Sequence, residues 1–334
     1  MSSLRKDPCT GRWVVVEEGP GASPVSPTSC PFCSGNESLT PPEITAWRDG
    51  GAPNLPGWRV RVVASLRPAL RIEEPLARRA QRMYDLASGT GAHEIVIETP
   101  EHGTRLSQLP QDQIACVLDA WASRIADLKR DSRIRSVFVF KNQGVLAGAT
   151  LPEHAHSQII GLPVTPKALK EILVGARAHF RLKDRCVYCD ILDEELEVGD
   201  RLIATSESFA AITPFASRHP YECWLLPRYH ASDFETTGQE YLFELAGLLK
   251  GLLGRLEARL PEPAFNLFLY SGPNRDHRPG HWTTIDDDFH WHIVILPRQT
   301  QVAGFEVGTG FYSNSVLPEA AAITLREGPG GATS

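Results

Sequence analysis

The chain runs through one order of elements twice, and that repetition limits what it can fold into. Cys30-Pro31-Phe32-Cys33 is followed by an apolar stretch at 94–100, by His102, by a helical run, by an apolar strand at 136–140 and by the pair His154 and His156. Cys186-Val187-Tyr188-Cys189 is followed by an apolar stretch at 222–227, by His230, by a second helical run, by a strand at 265–270 and by the pair His290 and His292. Such a repeat implies two similar units, each with strands and one long helix. In the first helix Ile114, Val117, Leu118, Trp121, Ile125 and Leu128 recur at three- and four-residue spacing behind Pro110 and Asp112. The run from Tyr241 through Leu245, Leu249 and Leu253 to Leu256 has the same period. A joining helix that starts at Pro166 puts the boundary near Arg185, dividing the chain into units 1–185 and 186–334.

Two thiolates separated by two residues can reach one metal ion through a tight turn, and two such pairs among seven cysteines point to bound zinc. A redox pair is the competing reading of each; the histidines at repeated positions favour metal. Met1-Ser2-Ser3-Leu4-Arg5-Lys6-Asp7 has no apolar export segment, so a reducing, cytoplasmic compartment is expected and disulfides are not. The repeat assigns one zinc to Cys30, Cys33, His102 and His154, and another to Cys186, Cys189, His230 and His290. Four nitrogen and sulfur ligands close a tetrahedral site, so both ions are expected to be structural. The ligand types leave open whether the second ion is zinc or iron.

His154-Ala155-His156-Ser157-Gln158 carries the chemistry. In an extended segment residues two apart share a face, so both imidazoles and the amide project together. A neutral imidazole can attack phosphorus and be carried as a covalent intermediate, while the amide holds the phosphoryl oxygens. Two unrelated surface histidines are the plain alternative. Val294 stands where Gln158 would fall in the second half, which predicts one active site per chain, with His156 as nucleophile and His292 as a satisfied structural histidine.

Further segments accompany these motifs in order: 5–14 (RKDPCTGRWV), Thr40-Pro41-Pro42-Glu43, Phe140-Lys141-Asn142-Gln143-Gly144 and 304–310 (GFEVGTG). Together they resemble the galactose-1-phosphate uridylyltransferase family of the histidine-triad superfamily, in the two-zinc bacterial branch that is also similar to ADP-glucose phosphorylases. The resemblance covers nearly the whole chain. It implies an α+β fold of two histidine-triad-like repeats whose antiparallel sheets join into one curved sheet flanked by helices, and a homodimer. It also implies ping-pong nucleotidyl transfer, in which His156 attacks the α-phosphorus of UDP-glucose and the resulting uridylyl group passes to galactose 1-phosphate. By the same resemblance Gln158 binds the phosphoryl oxygens, Asn142 the nucleotide side, Gly148, Ala149 and Thr150 the phosphate, and Phe305, Glu306, Gly308 and Thr309 the sugar. Relatives usually read Asn-x-Phe/Tyr-Pro-Ala-Leu where this chain has Ser65-Leu66-Arg67-Pro68-Ala69-Leu70, so Arg67 is either a substitute phosphate-facing cation or a solvated charge. A phosphorylase with inorganic phosphate as acceptor is the alternative within the family.

A zinc-stapled nucleic-acid-binding module is the rival of another class. With 34 basic and 40 acidic residues and a net charge of −6, the chain lacks the cationic surface that phosphate backbones require. No run reaches the roughly 18 apolar residues of a membrane span. The polar loop 271–281 is long enough to be functional. Asp286-Asp287-Asp288 reads as a solvated turn, and 20–27 and 328–334 read as flexible. Cys9, Cys116 and Cys223 read as packing residues and Trp13, Trp121 and Trp224 as core. His93, His179 and His219 fall outside the repeated ligand order and read as structural.

Overall fold

Alternating apolar residues around the histidine motifs build one large antiparallel sheet. The computed structural model describes residues 2–17, 29–149, 154–260, 264–275, 282–299 and 301–327. Thr150, 276–281, all of 20–27 and the tail 328–334 lie outside those residues. In chain order the strands are β1 (Ser2–Lys6), β2 (Trp13–Glu17), β3 (Glu43–Arg48), β4 (Trp58–Ala64), β5 (Arg78–Gln81), β6 (Tyr84–Ser88), β7 (Ala92–Ile97), β8 (Ser136–Gln143), β9 (His156–Leu162), β10 (Leu202–Thr205), β11 (Phe209–Ile212), β12 (Cys223–Pro227), β13 (Phe265–Tyr270) and β14 (His292–Pro297). The helices are α1 (Gln111–Lys129), α2 (Lys167–Lys183), α3 (Val187–Val198), α4 (Gln239–Arg259), α5 (Ile285–Asp288), α6 (Gly304–Thr309) and α7 (Pro318–Glu327).

The ten-stranded sheet has the order β10-β11-β12-β14-β13-β8-β9-β7-β4-β3. Read inward from either edge, the connectivity is the same: two leading strands, a third, then a strand pair formed after the long helix. The two halves meet at β13 and β8, where Phe268 faces Phe140 and Asn266 faces Asn142. The expected α+β architecture, two repeats with joined antiparallel sheets, is what the chain adopts. A second, four-stranded sheet, β2-β1-β6-β5, is built from the N-terminal strands and a hairpin inserted before β7.

One face of the large sheet is sealed by α1 and α4. Ile114, Val117, Trp121 and Ile125 from α1, with Leu245, Leu249, Leu253 and Leu256 from α4, pack on Val96, Val139, Ile159, Leu267 and Ile293. Each such side chain removed from water contributes about 1.5–3 kcal/mol, so this face carries most of the core. The opposite face is treated differently in the two repeats. Over the second, α2, α3 and α5 bring Leu169, Leu173, Tyr188, Leu192 and Ile285 down onto Ala210, Ile212, Leu226 and Val294. Over the first, the described residues form two small clusters, one around Phe32, Trp58 and Ile97 and one around Leu4, Leu70 and Ala87. The surface between these two clusters bears His156 and Gln158.

Strand and helix bounds shift from the expected ones by a few residues, and the joining helix extends through Lys183. Cys9 is a correction: it is exposed in the turn after β1 and is not part of the core. Trp121 is fully buried, whereas Trp13 and Trp224 are half-buried. No described helix is long and apolar enough to cross a membrane.

Candidate active site

The CxxC segments and the histidines from the repeated positions converge in space. Cys30, Cys33, His102 and His154 form one group and Cys186, Cys189, His230 and His290 another, the ligating atoms of each lying within 4.8 Å of one another. In the first group the sulfur to Nδ1 separations are 3.5 Å for Cys30 and His154, 3.5 Å for Cys33 and His102, and 3.7 Å for Cys33 and His154. In the second they are 3.4 Å for Cys189 and His230 and 3.8 Å for Cys189 and His290. A tetrahedron with metal–sulfur and metal–nitrogen bonds near 2.3 and 2.0 Å has sulfur–nitrogen edges of about 3.5 Å, so both donor sets fit a four-coordinate ion. The outer nitrogens agree. His154 Nε2 donates to the Thr99 carbonyl at 2.8 Å, His230 Nε2 to Asp286 at 2.8 Å and His290 Nε2 to Pro227 at 2.9 Å, which leaves each Nδ1 as the free donor atom. The Asp286–Asp288 turn is therefore more than a solvated bend, since its backbone braces His230 from α5.

His154 lies just before β9 and His156 begins it. His156 and Gln158 share one face, while Ser157 points to the helix side and accepts from Trp121 Nε1 at 2.8 Å. His156 Nδ1 lies 2.8 Å from the His154 carbonyl, which can only accept, so the proton is on Nδ1 and the lone pair is on Nε2. Burial, reinforced by the nearby Lys141 ammonium, pushes the imidazole down to about 4 against the pull of the His154 carbonyl, so the ring is neutral near pH 7. Phe32, between the first two cysteines, meets the ring edge-on at 5.3 Å.

Under the same strand is a buried ion pair. Lys141 Nζ donates to Glu98 Oε2 at 2.7 Å and to the His156 carbonyl at 3.1 Å, with side chains 2% and 0% exposed. The ammonium thus holds the backbone of His156 from below. Sequence reading places Lys141 in the 140–144 segment of the family resemblance and Glu98 in an apolar strand, and only the sheet order brings the two together under β9.

Residues 65–166 match the family profile for the galactose-1-phosphate uridyl transferase N-terminal domain. An ADP-glucose phosphorylase of Arabidopsis thaliana is 32% identical over 97% of this chain and 92% of its own length. A galactose-1-phosphate uridylyltransferase of Thermotoga maritima is 30% identical over 98% of each. The chain belongs to the galactose-1-phosphate uridylyltransferase family. A crystal structure of an Arabidopsis thaliana ADP-glucose phosphorylase with bound ADP-glucose aligns at a TM-score of 0.77 and 31% identity, covering 98% of this chain and 99% of that one.

The other positions implied by kinship with the uridylyltransferases are placed unevenly. Asn142 lies on the His156 face of β8, its Oδ1 held at 2.8 Å by Asn266 from the other repeat. Gly148 and Ala149 follow a tight turn that opens at Gly144, whose φ of 79° and close approach to Ala264 suit glycine. Their N–H groups are used inside that turn, Gly148 on the Val145 carbonyl at 2.9 Å and Ala149 on the Gly144 carbonyl at 3.2 Å. Arg67 is exposed on the loop that borders a 590 Å³ cavity beside β7.

The sugar segment is not gathered at His156. In α6 Phe305 is 58% exposed, Thr309 Oγ1 donates to the Phe305 carbonyl, and Glu306 accepts from the Ala303 N–H. Gly308 is exposed too, and none of the helix is buried. Just beyond it Tyr312 meets His219 at 5.6 Å, beside β12. β12 is four strand spacings from β9, about 19 Å. His179 pairs with Asp190 at 2.8 Å, a structural role as expected. His93 differs from its expected role: it hydrogen-bonds Gln158.

Proposed function

We propose that this chain is a nucleotidyltransferase in which His156 Nε2 attacks the α-phosphorus of UDP-glucose. The bond to the β-phosphate oxygen breaks, glucose 1-phosphate leaves, and a uridylyl-histidine remains. A phosphate oxygen of galactose 1-phosphate then attacks the same phosphorus from the acceptor side, the phosphorus–nitrogen bond breaks, and UDP-galactose leaves. The observation that carries this reading is the fixed tautomer of His156: a neutral ring whose Nδ1 proton is held by the His154 carbonyl and whose Nε2 bears the lone pair. Gln158 and Asn142, on the same face, serve the phosphoryl oxygens and the nucleotide, and Thr150 and Arg67 are further candidates for the phosphates. Family kinship supports the donor class.

A second reading, phosphorolysis of ADP-glucose by inorganic phosphate, is favoured by the 32% identical phosphorylase. Both readings share His156 and differ in base and acceptor.

We assign zinc to both Cys/His groups, with the second ion zinc or iron; when bound, each ion supplies a rigid tetrahedral anchor. Cys30, Cys33, His102 and His154 would hold the first, and His154 in turn positions the carbonyl that orients His156. The two units are read as 1–185 and 186–334. Because Phe305, Glu306, Gly308 and Thr309 stand away from His156 on an exposed helix, we infer a homodimer in which a second copy brings them to the sugar. A reducing cytoplasm suits thiols committed to metal.

Intact-protein mass after separate incubation with UDP-glucose and ADP-glucose tests the reading. A uridylyl adduct on wild type and none on His156→Ala is the expected result. An adenylyl adduct discharged by phosphate selects the second reading, and no adduct with release of neither sugar phosphate overturns both.

A further inference from the structure

His93 sits on β7 with its imidazole between the two parts of the site that must act together. The register pairs His93 with Ile160 and Ile95 with Gln158, so His93 and Gln158 are diagonal neighbours on one face. The Ala69 N–H points at His93 Nδ1 from 3.2 Å. A backbone N–H can only donate, so Nδ1 is the unprotonated nitrogen and the neutral ring carries its proton on Nε2. Nε2 is 2.8 Å from Gln158 Oε1 and donates to it. The orientation of the amide follows: its carbonyl is taken by His93, and its NH₂ is the end left for a ligand. A phosphoryl oxygen needs that end, since it can only accept.

The same residue clasps the loop before β7. The Ser65 N–H donates to the His93 carbonyl at 2.8 Å while the Ala69 N–H meets the ring, so both ends of 65–69 close on His93. That loop, with His93, borders the 590 Å³ cavity, a volume in the range of small-molecule sites. Burial keeps the ring neutral by lowering its pKa, opposed in part by the Gln158 bond.

We propose that His93 is a positioning residue for nucleotidyl transfer, fixing the Gln158 NH₂ toward the transferred phosphoryl group and coupling it to the 65–69 loop. This rests on the reading that Gln158 contacts that group.

Three variants separate the parts. In His93→Asn the side-chain oxygen can take the Nδ1 position and keep the Ala69 bond, but the donor to Gln158 is lost. In His93→Gln the amide nitrogen can take the Nε2 position and keep that donor. Gln158→Ala removes the amide itself. Single-turnover formation of the nucleotidyl adduct from UDP-glucose and from ADP-glucose is measured on each holoenzyme, with the final adduct per chain as the count of competent sites. His93→Asn is expected to slow adduct formation by about 10- to 100-fold at saturating donor, with His93→Gln restoring the rate to within about 5-fold of wild type. In the Gln158→Ala background His93→Asn should cost nothing more. A wild-type rate in His93→Asn while Gln158→Ala is slow overturns the proposal alone, and so does a full additive loss in the double variant. A wild-type rate in Gln158→Ala overturns the role of the amide itself, and the proposal with it.

Discussion

His156 and His292 occupy equivalent places in the two repeats, and they are alike in everything that makes a histidine a nucleophile. Each follows by two residues a histidine of a Cys/His group that could hold a metal ion, and each lies with Nδ1 against the carbonyl of that residue, at 2.8 and 3.0 Å. Burial pushes each down to about 4. The difference is in the neighbours. Around His292 the rings of Tyr188, Tyr270 and Trp224 close in at 4.8, 5.2 and 5.4 Å, and α2 and α3 cover the sheet face. Around His156 the ring of Phe32 covers one side, Gln158 replaces Val294, and Lys141 and Glu98 stand where the register puts Leu269 and Pro227. Tautomer and neutrality thus come from the repeated fold; the aromatic enclosure of one ring and the amide beside the other come from a few positions that differ.

The largest test of this comparison is the nucleophile. His156→Ala should abolish the nucleotidyl adduct and lower turnover by roughly 10⁴-fold or more, with two metal ions per chain retained by elemental analysis. His292→Ala should change the adduct yield per folded chain by less than about 3-fold, although deleting a buried ring destabilises the protein. An adduct that survives in His156→Ala and is lost in His292→Ala would reverse the assignment.

The ligands sharpen the comparison next. His154→Ala should drop the metal content from two ions to one and slow adduct formation by about 100-fold, because the carbonyl that orients His156 loses its anchor. His290→Ala should also lose one ion but slow the adduct by less than about 10-fold, with its main effect on thermal stability. Equal loss of rate in both variants would show that the second repeat also shapes the site.

Much of this was open to sequence reading because the informative residues sit at repeated positions. Cysteines two apart and histidines at matched places gave the two clusters, and the leucine period of α4 gave its buried face. What stayed hidden depends on contacts between distant segments. β1, β2, β5 and β6 are four or five residues long and bury only Leu4 and Ala87, so no alternation marks the four-stranded sheet; every residue of β5 is exposed. The Lys141 and Glu98 pair, 43 positions apart, forms only when β8 and β7 flank β9. His93 read as structural because its partners, Ala69 and Gln158, belong to two other segments. Gly148 and Ala149 were read as phosphate-binding from the family resemblance alone, and no sequence pattern shows that the local turn uses their N–H groups.

That buried pair gives an intermediate effect. Lys141→Met leaves Glu98 charged in the core, where Glu98 Oε1 already has no hydrogen-bond partner among the described residues. A loss of about 3–5 kcal/mol in urea unfolding is expected. Replacing both, as Lys141→Leu with Glu98→Leu, imitates the apolar second repeat and should recover stability to within about 1 kcal/mol of wild type. If the double variant is stable yet forms the adduct slowly, the ammonium under the His156 carbonyl serves the reaction; a wild-type rate would make the pair purely architectural.

The smallest effect tests what an amide alone can do. Val294→Gln gives the second repeat the residue that the first has at Gln158. It would bury an amide against Trp224 and Phe268, the cross-strand neighbours of position 294, on a face already covered by α2 and α3. An unsatisfied buried amide costs about 1–3 kcal/mol, so a modest loss of stability is expected. The adduct should stay at one nucleotide per chain, because Tyr188, Tyr270 and Trp224 still enclose His292 and no donor can reach its Nε2. Two nucleotides per chain in Val294→Gln would mean that the missing amide, rather than the aromatic enclosure, is what keeps the second histidine silent.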